Sequence, residues 1–168
     1  MKRVVVTGLG LVTPLGCGVN HSWDNLLSGI SGVKKITKFD PINHKCKVAC
    51  EVPLGSAIDG KFNPEEWIEK KEIKKIDDFI QFSMAASEQA FLDSKIQIST
   101  ELSLRSGAII GSGIGGLPGI ERAALDYYVN KKKISPFFIT GRLINMAAGY
   151  ASLKYNLKGP NYATVSAC

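Results

Sequence analysis

The residue with the most chemical potential is Cys168, the last in the sequence. It follows Ala163-Thr164-Val165-Ser166-Ala167, a run of small and β-branched residues that reads as a strand. The C-terminal end of a parallel strand is the usual functional edge of an α/β sheet. A thiol placed where the next helix begins has its thiolate stabilised by the helix dipole and by free N–H groups, which suits a nucleophile. From the residues alone, a buried structural cysteine is an equal reading. A buried-looking strand that runs straight into a terminus also leads us to expect more chain beyond it.

The other candidates are weaker. Cys17, Cys46 and Cys50 have no disulfide-framework spacing. His44, Cys46 and Cys50 lack the close cysteine pairs and fourth ligand of a zinc site, and Cys46–Cys50 alternates like a strand, so no metal is expected. Two glycine clusters follow strands. Gly8-Leu9-Gly10 lacks the third glycine of a dinucleotide site, and Gly111-Ser112-Gly113-Ile114-Gly115-Gly116 lacks both its spacing and the acidic residue about 20 positions on. Neither precedes Gly-Lys-Ser/Thr, so neither is a P-loop. The plainer reading is that the glycines let the backbone turn sharply where a strand enters a helix. Lys71, Lys74 and Lys75 have i, i+3, i+4 spacing and would share one helix face. Spacing alone favours an ordinary solvated face for them.

The elements that must position these residues alternate between short strands and helices. The first strand is expected over 3–7, followed by the glycine turn and a helix over 20–28 capped by Asn20 and stopped by Gly29. A strand over 46–52 suits an edge or hairpin. Asn63-Pro64-Glu65-Glu66 reads as a helix start, with a cap, an N1 proline and acids in the first turn. The spacing of Ile76, Phe79, Ile80, Met84, Ala90 and Phe91 predicts a helix over 76–92. A strand over 105–110 then enters the second glycine turn, which opens a helix to about residue 129. Lys131-Lys132-Lys133 is a loop, residues 140–153 form another helix, and 162–167 the final strand. This alternation predicts an α/β fold with a mostly parallel sheet.

Several of these segments together resemble the condensing enzymes, specifically the elongation-type 3-oxoacyl-carrier-protein synthase II. They are Val4-Val5-Val6-Thr7-Gly8-Leu9-Gly10 with Pro14-Leu15-Gly16, the 111–116 turn, Ile134-Ser135-Pro136-Phe137-Phe138, Asn145-Met146-Ala147-Ala148-Gly149, and Gly159-Pro160 leading to Ser166-Ala167-Cys168. No one of them is specific, but the set runs in the family's order along the whole chain. The resemblance implies the N-terminal half of a thiolase-like fold, residues 1–168 being one β-ketoacyl synthase domain truncated at its C-terminal end. It implies that Cys168 carries an acyl chain as a thioester and that malonyl-acyl carrier protein is joined to it by decarboxylative Claisen condensation. It implies that Ile114 gates the acyl pocket and that Phe138 is contributed across a homodimer interface. By the same resemblance Lys71, Lys74 and Lys75, and less directly Lys132 and Lys133, dock the acidic carrier protein. The family's two catalytic histidines, its catalytic lysine and the loop that completes its oxyanion hole have no counterpart here, since His21 and His44 match no catalytic position. The 168 residues alone are therefore expected to be inactive.

Bulk properties agree with a globular enzyme: 45% hydrophobic, 21% charged and only 7 prolines in 168 residues. Met1-Lys2-Arg3 leads directly into Val4-Val5-Val6 without a secretory apolar region, and no run is long enough to cross a bilayer, so a cytoplasmic location is expected. The charge of +6 suits an acidic protein partner. Nucleic acid would call for a broader basic patch with interleaved aromatics. No cofactor is expected. Two other classes stand beside the enzyme reading: a non-catalytic carrier-protein-binding relic, and a nucleotide-binding α/β domain.

Overall fold

A computed structural model describes residues 3–165. Two helices form its centre. Helix α3 (Asp78–Ser94) packs against α6 (Met146–Tyr155), and Ala85, Ala147, Ala148 and Ala151 are all buried where they meet. Small side chains there let the helix backbones approach closely. At one end Ile68, Ile76 and Ile80 gather Trp67, Phe79, Met84 and Tyr150. Ile80 is fully buried, which contributes roughly 2–3 kcal/mol of transfer free energy. At the other end Ala108, Ala148, Ala151 and Leu157 pack with Phe91, Ile98, Ile110 and Tyr155. The Phe91 and Tyr155 rings stack with centroids 3.7 Å apart.

Among the described residues there are three two-stranded ladders. β1 (Val12–Thr13) and β2 (Gly16–Cys17) are antiparallel, joined by the Pro14-Leu15 turn. Helix α1 (Val19–Leu27) follows, with Gly18 rather than Asn20 in the N-cap position. Gly29, at φ 69°, ends it as the sequence suggests. β3 (Lys34–Lys35) and β4 (Val48–Ala49) form a second antiparallel pair, so the 46–52 run is a short hairpin arm. β5 (Ala108–Ile109) and β6 (Asn161–Tyr162) are parallel. Their pairing reaches beyond those bounds: the N–H groups of Ala108, Ile110 and Ser112 donate to the carbonyls of Pro160, Tyr162 and Thr164. That i, i+2 progression is the signature of one parallel strand pair.

Other expectations need correction. Residues 3–7 join no ladder among the described residues, and Val4 and Val6 are largely exposed. The Asn63 side chain does accept from the Glu65 N–H at 3.1 Å, yet the start yields only a 3₁₀ turn, Pro64–Glu66. Packing of Trp67 and Ile68 into the apolar cluster turns the chain away before a second turn can form. Helix α2 (Lys70–Ile73) is a single turn, so Lys74 is its C-cap and Lys75 lies beyond it; the three lysines do not ride one regular helix face. The strand expected over 105–110 is shorter: Arg105 closes helix α4 (Thr100–Arg105), and the strand itself begins at Ala108. Ser99 caps it, accepting from the Leu102 N–H at 3.1 Å. Helix α5 (Leu117–Tyr128) opens as expected after the second glycine turn, with Pro118 in its first turn. The helix placed over 140–153 begins only at Met146, and residues 137–145 are a chain of turns.

Candidate functional site

Cys168 lies outside the described residues. The segment leading to it is fixed as far as Thr164, whose carbonyl accepts from the Ser112 N–H at 3.1 Å. That bond ties the segment to the start of the glycine turn carrying Ile114. Within the turn, Ser112 Oγ accepts from the Gly115 N–H at 3.1 Å and Gly115 adopts φ 80°. Ile114 is exposed at the tip.

The second glycine cluster has a reason beyond turning. A Cβ on Gly116 or Gly119 would run into Asp77 and Arg142. Asp77 precedes α3 and Arg142 sits in the 137–145 turns; Asp77 Oδ1 and Arg142 Nε are 3.3 Å apart, with both side chains mostly buried. Nε is out of line for a hydrogen bond at that distance, so the contact is ionic. Asp77 Oδ2 accepts from the Gly119 N–H at 3.1 Å, and the Arg142 carbonyl accepts from Gly116 N–H at 3.0 Å. Arg142 Nη1 donates to the Lys75 carbonyl at 2.9 Å, and the Asp77 N–H donates to the Gly141 carbonyl at 3.1 Å. Burial pushes the Asp77 carboxyl above its usual range, while the Arg142 charge and the Gly119 N–H offset part of that rise. This pair is absent from the sequence reading. Its signal was a lone charge, Arg142, directly before Leu143-Ile144, together with an acid directly before a helix.

The basic residues divide by environment. Lys71 Nζ is 2.6 Å from Glu69, and Lys75 Nζ is 2.6 Å from Glu72 and 4.7 Å from the centre of the Phe137 ring. Lys132 pairs with Asp126 at 3.0 Å. Lys74 and Lys133 are exposed and, among the described residues, have no ion-pair partner. Lys74 borders a cleft with Arg122, Arg142, Asp77 and Asp78. Phe138 is half-buried, one residue from the Phe137 ring that Lys75 covers. The structure thus groups Lys74, Lys75 and the Ile114 turn around Asp77 and Arg142, and leaves Lys132 and Lys133 at the far end of α5.

The two histidines have other occupations. His21 Nε2 lies 3.1 Å from the Asn25 amide, and its ring is wedged against Gly16 and Gly60. His44 meets Phe39 edge-on at 5.3 Å, beside exposed Cys46. Among the described residues, no group of three or more His, Cys, Asp or Glu is arranged to hold a metal ion, and no helix is long and apolar enough to cross a membrane.

Comparison with known proteins places the chain in context. The family model for the beta-ketoacyl synthase N-terminal domain matches residues 1–168. The 3-oxoacyl-(acyl-carrier-protein) synthase 2 of Rhizobium meliloti is 47% identical over 172 residues, covering 100% of this chain and 40% of that protein. The synthase 2 of Coxiella burnetii is also 47% identical, covering 99% of this chain and 39% of that protein. The chain therefore spans about two fifths of the length of the curated relatives it matches. Among solved structures, a beta-ketoacyl synthase from Burkholderia phymatum superposes with TM-score 0.72 at 23% identity, covering 100% of this chain and 40% of that one. A type II PKS ketosynthase solved with its acyl-carrier protein gives 0.68 at 22%, covering 98% and 41%.

Proposed function

The chain belongs to the beta-ketoacyl synthase family, whose N-terminal domain it matches throughout, and from that premise we propose that it serves the condensing step of fatty-acid elongation. Cys168 is the nucleophile. Its thiolate attacks the acyl thioester, the carrier thiol leaves, and the acyl group rests on sulfur. Malonyl on a second carrier protein then loses CO2, and the resulting enolate carbon attacks the Cys168 thioester. The new C–C bond releases the thiolate and leaves a 3-oxoacyl group on the carrier. The enolate oxygen needs hydrogen-bond donors; His21 Nε2 already meets the Asn25 amide, and His44, exposed against Phe39, matches no catalytic position of the family.

The observation that carries this reading is the Ser112-to-Thr164 hydrogen bond. It continues the β5–β6 register and supports a common edge for the Ile114 turn and the segment ending in Cys168, as an acyl gate beside its nucleophile requires. The parallel β5–β6 ladder supports the sheet of a thiolase-like fold, although the β1–β2 and β3–β4 ladders are antiparallel. Thr7 and Gly8 line one cavity of about 330 Å³ together with Ser106, Gly107 and Ala108, so the first glycine cluster lies beside the start of β5.

The partner is an acidic acyl carrier protein, met by Lys71, Lys74 and Lys75, with Lys132 and Lys133 at the margin. The relative solved with its acyl-carrier protein supports that assignment. Phe138 lies toward the second copy of a homodimer, and the protein works in the cytoplasm. No cofactor takes part.

The test is mass spectrometry of the natural-length protein after incubation with acyl-carrier protein bearing a defined acyl chain. One acyl group should appear on the peptide ending in or containing Cys168, and Cys168→Ala should remove it. Acylation elsewhere, or none, would refute the assignment.

A further inference from the structure

Two segments with separate tasks in the proposed condensation meet at one ion pair. The basic segment 71–75 ends at Lys75, whose carbonyl accepts from Arg142 Nη1 at 2.9 Å. A Cβ on Gly141 would overlap that same carbonyl, so the two backbones are in direct contact. The Ile114 turn is held from its other side. Gly116 N–H donates to the Arg142 carbonyl, Gly119 N–H donates to Asp77 Oδ2, and Gly115 is pressed against Ile144. Both side chains of the pair are more than four-fifths buried, so neither is held in place merely by surface charge attraction. Removing either partner would leave a buried charge without its counter-ion and would free both segments.

We propose that Asp77 and Arg142 are positioning residues that set acyl-chain-length specificity by holding the Ile114 turn and the basic segment 71–75 in one rigid frame. This rests on the condensing reading above. Among the described residues, the two side chains contact each other and backbone groups. Arg142 acts through the backbone carbonyl of Lys75 and its own carbonyl on Gly116, and Asp77 acts through Gly119. Glycine at 116 and 119 is required because the pair occupies the space a side chain would fill. A small shift of the turn would move Ile114 relative to the acyl chain, and selectivity between chains differing by two methylenes is sensitive to such shifts.

The experiment uses the natural-length protein and the variants Arg142→Ala, Arg142→Lys and Asp77→Asn. Asp77→Asn keeps an acceptor for Gly119 but loses the charge, and Arg142→Lys keeps the charge, so at least one variant should fold. Two quantities are read: backbone hydrogen–deuterium exchange of peptides covering 111–119, and the ratio of the two longest 3-oxoacyl products. Arg142→Ala and Asp77→Asn should speed exchange in 111–119 while leaving the α6 peptides unchanged. They should also change the product ratio by about threefold or more, with Arg142→Lys recovering part of both effects. Unchanged exchange, or faster exchange with an unmoved product ratio, overturns this proposal alone. A wild-type protein that forms no 3-oxoacyl product overturns the condensing reading, and with it the specificity role.

Discussion

The Leu9 N–H donates to Asp93 Oδ2 at 2.9 Å, joining the first glycine cluster to the far end of α3. One i, i+4 step back on the helix, Gln89 Oε1 accepts from the Leu11 N–H at 3.0 Å. The alternate residues, Gly8 and Gly10, lie against the carbonyls of Ala90 and Ala86, another i, i+4 pair. A strand period of two is therefore matched to a helix period of four, with side-chain acceptors and glycine slots on adjacent ridges. The Gly8-Leu9-Gly10 motif is a helix-docking device, which leaves no reason to read it as a phosphate cradle.

Gly10→Ala tests this docking. A Cβ at that position would overlap the Ala86 carbonyl, and backbone cannot step aside as a long side chain can. The expected loss is about 3 kcal/mol, at the upper end for overpacking, measured by urea unfolding of the natural-length protein. A loss under about 0.5 kcal/mol, in the range of an ordinary surface change, would mean that the segment is not seated on α3.

Gly149→Ala should act in the opposite direction. Gly149 lies inside α6, and a Cβ there would meet only Met146 side-chain atoms at 3.5 and 3.8 Å, ordinary contact distances. Alanine restricts the unfolded chain and favours the helix, for a gain of roughly 0.5–1 kcal/mol. A loss of stability in the same unfolding assay would mean that a surface other than residues 3–165 packs on this face of α6.

The helices carrying strong periodicity were legible in the sequence, α3 and α5 to within a few residues. Their apolar spacing and caps are local properties. The strand boundaries were not, because a two-residue ladder is defined by its partner, and the partners of β5 and β6 are about 50 residues apart in sequence. Helix α4 was hidden behind the β-like run that follows it, although Ser99 was an available cap signal. The family motifs pointed to Cys168, Ile114 and Phe138 without showing what holds them. The Asp77–Arg142 pair could not be read from spacing, since its two members lie 65 positions apart and meet only after α3, α5 and α6 have packed.

Glu88 gives a stability contribution that depends on pH. Partial burial works to raise its carboxyl, but hydrogen bonds from Lys154 and Tyr155 and the Lys154 charge at 2.7 Å outweigh that and hold it below its usual range. Because the folded value is depressed, the stabilisation is complete above the unfolded value near 4.5 and is lost as pH falls through the folded one. Glu88→Gln should therefore lose about 1–2 kcal/mol at neutral pH, and the gap from wild type should close in acid. A gap that stays constant from neutral pH to about pH 3 would show that the ionised carboxylate is not the source.

In the carrier-protein docking proposed above, Lys74 should dominate among the three clustered lysines. Lys71 and Lys75 each sit 2.6 Å from a carboxylate, Glu69 and Glu72, so their charges are already partly answered. Lys75 is further occupied with the Phe137 ring. Lys74 is exposed at the end of α2, and the described residues offer it no carboxylate partner. An acidic partner approaching this segment gains most from the uncompensated ammonium. Lys74→Glu should weaken binding of acyl carrier protein roughly tenfold at low salt, with the difference shrinking as salt is added. Lys71→Glu should cost less, because Lys71 must give up its Glu69 contact before it can meet a carrier carboxylate. Fluorescence anisotropy of labelled carrier protein over a salt series reads both effects. Equal losses for the two variants would mean that the carrier displaces Glu69 on docking, and no loss for Lys74→Glu would move the docking surface elsewhere.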